Sequence, residues 1–277
     1  MVAFTSGFLL STLMRTSANR PTSGSIGSSR RPTNRRAALV TGASSGIGYA
    51  IADMLGSEGY SLTVSSRKPD HLGPAAESLR SKGYPVHQAL GDVLDDEDVT
   101  RIVSEHEAAW GRLDVLVNGA GGGIMARLGE LGDRKTDRQL GLNLRSAIVF
   151  VHRCLPLLRR SVDPSSPALI VNVASLAGKE GAPALSIYAA AKHGLVGFTA
   201  SLNAELAGEG IRSTVLCPQV VDTPLTDHPA FTERMPKADM ITTNDIAESV
   251  RFLLRLSPAC VVPELVFRNT TTLRDNP

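Results

Sequence analysis

Residues 39–48 constrain the fold more than any other stretch. Leu39 and Val40 run into Thr41-Gly42-Ala43-Ser44-Ser45-Gly46-Ile47-Gly48, after which Ile47, Ala50, Ile51, Met54 and Leu55 recur at helical spacing. A strand that turns on glycines into a helix start is the context in which a glycine fingerprint carries meaning. Gly42 permits the sharp turn, Gly46 lets backbone N–H groups approach a pyrophosphate, and Gly48 lets the helix pack close to the sheet. Gly42, Ser44, Ser45, Gly46, Ile47 and Gly48 are therefore the candidate phosphate cradle, with glycine spacing GxxxGxG rather than GxGxxG.

The rest of the chain repeats the strand-then-helix alternation. Short apolar runs at 37–40, 62–65, 86–89, 113–117, 168–173, 212–216 and 261–267 read as strands covered on both faces. Val99, Ile102, Val103, His106 and Trp110 mark one helix, entered through Asp95, Asp96, Glu97 and Asp98, whose charges suit the positive end of a helix dipole. Ile187, Ala191, Leu195, Phe198, Leu202 and Leu206 mark another, closed near Gly208 and Gly210. The pattern predicts an α/β, doubly wound Rossmann-type sheet of about seven parallel strands with helices on both faces. A length of 277 residues suits one such domain over 35–270, with 271–277 as a tail.

Ligands of open α/β sheets bind at the carboxyl ends of the strands. The second strand ends in Ser65-Ser66-Arg67-Lys68 with no acid until Asp70. A carboxylate there would hold a free ribose 2′-OH, whereas Arg67 can fork onto a 2′-phosphate, so NADP(H) is favoured over NAD(H). The fourth strand ends in Asn118-Gly119-Ala120-Gly121 and the fifth in Ser175. Tyr188 and Lys192 lie four residues apart on one helical face. A free phenol, with a pKa of about 10, is a poor base, and a nearby ammonium is expected to lower that value.

Taken together, these motifs resemble the short-chain dehydrogenase/reductase family in its short single-domain branch. The matches are TGASSGIG at 41–48, Asp92-Val93, NGAG at 118–121, Asn143 in LNLR, Ser175, YAAAK at 188–192, and Pro218 with Thr223. The resemblance implies hydride transfer between a nicotinamide and a ketone, aldehyde or alcohol carbon. Tyr188 would be the general acid or base, Lys192 would hold the nicotinamide ribose, and Ser175 would bond the substrate oxygen. Asn143 would hold a water that joins Lys192 to a proton relay. Asp92 and Val93 would meet adenine, Asn118, Gly119, Ala120 and Gly121 would floor the ribose, and Pro218, Val220 and Thr223 would border the nicotinamide. Candidate substrates are 3-oxoacyl thioesters, small hydroxy or amino acids, and hydrophobic ketones or steroids, with 246–266 resembling reductases of 3-hydroxy acids, and a homotetramer built through 140–158 and 187–206 is a further implication. Two departures stand out. Gly119 replaces the family's usual Asn or Ala, a change expected to matter little. Gln219 replaces the glycine that usually follows the proline, where a positive φ would resist a side chain.

Other classes are less well supported. A non-catalytic dinucleotide sensor on the same fold is the main alternative, though both Tyr188 and Lys192 are retained. Sugar-nucleotide epimerases and dehydratases share YxxxK but differ in glycine spacing. A net charge of +2 does not argue for nucleic acid, and no apolar run is long enough for a membrane span. The six histidines have no metal-ligand spacing, so no metal is expected, and Cys154, Cys217 and Cys260 read as buried and inert. Residues 1–34 carry several arginines and no acid, the first being Asp53. They read as a disordered tail in a cytoplasmic protein, with a mitochondrial transit peptide and a weak secretory signal as alternatives. Residues 122–132, 176–187 and 222–243 are expected to wall the substrate.

Overall fold

Successive residues of the central strands serve opposite faces of one sheet. Val40, Val117 and Val171 pack on one side, and Leu39, Leu116 and Ile170 on the other. A computed structural model describes residues 35–233 and 235–274. The strands are β1 (Ala37–Thr41), β2 (Ser61–Ser66), β3 (Val86–Leu90), β4 (Val115–Asn118), β5 (Ala168–Val173), β6 (Ile211–Pro218) and β7 (Glu264–Phe267). They form a seven-stranded parallel sheet in the order β3-β2-β1-β4-β5-β6-β7. The order reverses between β1 and β4, the switch point at which such sheets bind ligands.

The helices are α1 (Gly46–Ser57), α2 (Pro69–Ser81), α3 (Asp96–Trp110), α4 (Asp133–Leu140), α5 (Ser146–Ser161), α6 (Ser186–Leu206), α7 (Pro229–Thr232), α8 (Thr243–Leu254) and α9 (Thr270–Arg274). Ile51 and Leu55 of α1, Leu72 and Leu79 of α2 and Ile246 and Val250 of α8 cover one face. Ile102 of α3, Phe150 and Leu158 of α5 and Leu202 of α6 cover the other. Asp95 caps α3 by accepting from the N–H groups of Glu97 and Asp98, and Gly111 closes that helix in the left-handed region.

The expected architecture holds, with local corrections. The seventh strand begins at Glu264 rather than 261, because Pro263 has no N–H for the ladder, although its carbonyl accepts from Val215 N at 3.0 Å. The expected tail from 271 is, as far as Arg274, the helix α9. Cys154 and Cys217 are buried, but Cys260 is half-exposed in a turn where its N–H bonds the Ser257 carbonyl. Trp110 is half-buried rather than core, held by its indole N–H on Thr63 Oγ1 at 3.0 Å. The readings made for residues 1–34 lie outside the described residues. Among the described residues, no helix is long and apolar enough to cross a membrane and no cluster of three or more His, Cys, Asp or Glu could hold a metal.

Candidate active site

A cleft of about 340 Å³ opens over the carboxyl ends of β1, β2, β4, β5 and β6. Its floor is the glycine loop. Gly42 and Gly46 have φ of 68° and 56°, the region that favours glycine. A Cβ on Gly48 would lie 2.4 Å from the Gly42 carbonyl oxygen, and one on Gly42 would lie 2.7 Å from that of Gly119. The close approach of α1 to the sheet therefore depends on bare backbone. Thr41 Oγ1 accepts from the N–H groups of Gly119 (3.1 Å) and Ala120 (3.2 Å), tying the β4 loop to the β1 loop. In the sequence, the only signal of this role for Thr41 is a hydroxyl residue at a strand end. Gly119 itself admits no Cβ, which would lie 2.7 Å from the Thr41 carbonyl. This departure from the family pattern matters more than expected.

Most of the sequence-predicted residues line this one cleft: Gly42, Ser44, Ser45, Gly46, Ile47 and Gly48 on the floor, Arg67, Asp92 and Val93 at one end, Gly119, Ala120 and Gly121 beside them, and Ser175, Tyr188, Lys192, Pro218 and Thr223 at the other end. The exposed Arg67 guanidinium has no bonding partner among the described residues. Asp92 is half-buried and accepts from its own Leu94 N–H at 3.0 Å. Gln219 and, within the expected 222–243 wall, Leu225 also line the cleft, as does Leu142, which the sequence did not single out.

Three predicted residues lie behind the lining. Asn118 is buried, and its amide donates to Asn172 Oδ1 at 2.8 Å, linking β4 to β5. Val220 is held by Asn269, which accepts from its N–H and donates to its carbonyl, both at 3.0 Å. Asn143 is buried in a single π turn, Gly141–Arg145, between α4 and α5. Such turns are frequent at functional sites. Asn143 Nδ2 donates to the carbonyls of Gly122 (2.8 Å) and Gln139 (3.0 Å), and Oδ1 accepts from Gly122 N (3.1 Å). Gln139, also buried, holds Ile124 in the same two-way manner.

Tyr188 and Lys192 project from the first turns of α6. Lys192 is buried, donates to the Val173 carbonyl at 2.8 Å, and places Nζ 5.6 Å from the centre of the Tyr188 ring. A Cβ on Gly121 would lie 3.5 Å from that Nζ and 3.2 Å from Asn143 Oδ1, so both groups crowd one point of the β4 loop. Burial lowers the Lys192 ammonium to about 8, partly opposed by neighbouring Cys217. The phenol differs from expectation. Burial raises its pKa above the ordinary value, and the hydrogen bond with Ser175 lowers it only in part. The ammonium lies over the ring and adds no lowering of the phenol. Ala184 precedes this helix with φ of 63°, and its carbonyl accepts from Ala126 N at 3.0 Å, joining two of the expected substrate walls.

Gln219 needs no positive φ, so the expected conflict does not arise. Its N–H donates to the Phe267 carbonyl (3.0 Å), and its Oε1 accepts from Asn269 N (2.9 Å) and Thr272 Oγ1 (3.0 Å).

Known proteins resemble this chain in both sequence and fold. Residues 36–233 match the short chain dehydrogenase family model. The "Granaticin polyketide synthase putative ketoacyl reductase 1" of Streptomyces violaceoruber is 30% identical over 266 residues, covering 90% of this chain and 96% of its own. An actinorhodin polyketide ketoreductase variant solved with NADPH superposes with a TM-score of 0.77 at 30% identity, over 84% of this chain and 96% of that one. An alcohol dehydrogenase of the archaeon Thermococcus sibiricus, complexed with 5-hydroxy-NADP, gives 0.74 at 28% identity over the same shares. This chain belongs to the short-chain dehydrogenase family of oxidoreductases.

Proposed function

We propose that the protein is an NADP(H)-dependent reductase of ketones or aldehydes, acting on 3-oxoacyl or related 3-hydroxy-acid substrates, with Tyr188 as the proton donor. The observation that carries this reading is that Tyr188, Ser175 and Lys192 line the same cleft as the glycine loop and Arg67. The residues fit a dinucleotide. Gly42 and Gly48 of the loop leave no room for a Cβ, and Arg67, without a partner among the described residues, offers a guanidinium suited to forked bonding of a 2′-phosphate. Asp92 and Val93 border the adenine end, and Pro218 and Thr223 the nicotinamide end.

When bound, the nicotinamide supplies or accepts the hydride. This chain's residues do the rest by orientation and electrostatics. Ser175 Oγ holds the substrate oxygen and stabilises the charge that develops on it. Tyr188 Oη donates its proton to that oxygen as the alcohol forms, which the raised phenol pKa favours at neutral pH. The Lys192 ammonium, near the ring, offsets the negative charge left on Tyr188. Leu225, lining the cleft and 58% exposed, offers apolar surface to an acyl chain. The names of the polyketide ketoacyl reductases support the same substrate class. The test is a panel of 3-oxoacyl thioesters, 3-oxo esters and simple ketones, each assayed with NADPH and with NADH. Turnover of a 3-oxo compound with NADPH is expected. Tight NADPH binding without turnover of any member favours the sensor reading instead.

A further inference from the structure

On the reading just given, we propose that Asn269, buried behind the cleft lining, and Gln219, on it, are positioning residues. The carboxyl-terminal segment thereby fixes the backbone on which the nicotinamide end of the cleft is built. Asn269 is 2% exposed. Its amide is fully committed: Oδ1 accepts from Val220 N at 3.0 Å, and Nδ2 donates to the carbonyls of Val220 at 3.0 Å and Asp239 at 2.9 Å. A single side chain thus holds the residue after Gln219 like a strand partner and ties it to the far base of the 222–243 segment. Ile241 N donates to the same Val220 carbonyl at 3.0 Å, closing the ring of contacts. Gln219 works in the reverse direction. Its Oε1 accepts from Asn269 N and Thr272 Oγ1, so the cleft wall and the segment after β7 each anchor the other. Two further amides, Asn143 on Gly122 and Gln139 on Ile124, hold the opposite wall by the same device. Buried amides bonded on every arm specify one backbone position, because any displacement leaves a polar group unpaired.

The bonding predicts an asymmetry that size or burial alone does not. Asn269 uses both donors, so Asn269→Asp sets a carboxylate oxygen against two carbonyls. Gln219 uses only its oxygen in these side-chain bonds, so Gln219→Glu keeps the contact and Gln219→Leu removes it. In the unliganded protein, hydrogen exchange of peptides covering 219–223 is expected to quicken about tenfold or more in Asn269→Asp, with the β1 to β5 amides unchanged. Single-turnover hydride transfer should fall about tenfold or more, while NADPH affinity, set mainly by the far end of the cleft, moves by less than about threefold. Gln219→Glu should retain at least about fivefold more activity than Gln219→Leu. Unchanged exchange at 219–223 in Asn269→Asp overturns the proposal. So does equal activity of the two Gln219 variants, which also decides the matter if Asn269→Asp does not fold. A wild-type protein that turns over no carbonyl sinks the reductase reading alone, because the exchange result still decides the positioning role.

Discussion

The two ends of the cleft are built by different means. At the dinucleotide end the walls are bare backbone: Gly42, Gly48 and Gly119 pack so closely that a Cβ on any of them would lie within 2.7 Å of a carbonyl oxygen. At the end we assign to nicotinamide the walls are loops held by side-chain amides, Asn143 on Gly122, Gln139 on Ile124 and Asn269 on Val220. The first design makes the path of the proposed phosphate loop depend on the absence of side chains. The second makes the geometry of the end we assign to the reaction depend on polar groups that lie behind the cleft lining.

This contrast can be broken experimentally. The largest effect is expected at the amide-held end. Asn143→Ala releases Gly122 and should lower kcat about a hundredfold, as small misplacements do, with NADPH affinity nearly retained in a fluorescence titration. Gly48→Ala should do the opposite. Overpacking costs about 1–3 kcal/mol, so melting temperature falls and NADPH affinity drops about tenfold or more, while saturating cofactor restores much of kcat. Arg67→Ala should weaken NADPH about 10–100-fold, the value of charged hydrogen bonds, and leave NADH within about threefold. Equal losses for both cofactors would contradict the 2′-phosphate assignment.

The pH profile sharpens the reacting end. On the proposed mechanism reduction uses protonated Tyr188 and charged Lys192, so its rate should fall as pH rises through about 8, to which burial lowers the ammonium. Oxidation should gain with pH as phenolate forms, since the phenol stands above its ordinary value. The smallest effect lies remote from both ends. His106 is fully buried, with Nε2–H on the Arg112 carbonyl and Nδ1 facing Thr63 Oγ1, and burial lowers it from 6.5 to about 4. The folded state then binds fewer protons than the unfolded state between those values. Stability should therefore decline as pH falls through that window, by at most about 1.4 kcal/mol per unit. His106→Leu should flatten the decline in melting temperature without altering turnover.

The same contrast explains what could be read in the chain. Backbone-built features leave local marks: glycines at 42, 46 and 48 lie beside the strand and helix they join, and the Tyr188–Lys192 spacing is one helical turn. The seven strands and the helices on both faces of the sheet followed from local apolar runs in the same way, whereas the order of the strands did not. Amide clamps leave no such mark. Asn269 and Val220 are 49 residues apart, Asn143 and Gly122 are 21 apart, and neither pair alters any periodicity. The phenol pKa was misjudged for a related reason. Spacing placed an ammonium near Tyr188, but only the three-dimensional arrangement shows it over the ring and shows how much water the fold removes. Likewise Gly119 looked interchangeable until its contact with Thr41 was visible.

The most direct test is rapid mixing of NADPH-loaded enzyme with a 3-oxo ester, following loss of the reduced nicotinamide absorbance in the wild type and in Tyr188→Phe. Hydride transfer in the wild type, reduced about a thousandfold in the variant with NADPH still bound, is the expected result for loss of a general acid. A variant that transfers hydride as fast as the wild type would contradict the assignment of Tyr188 and the account built on it.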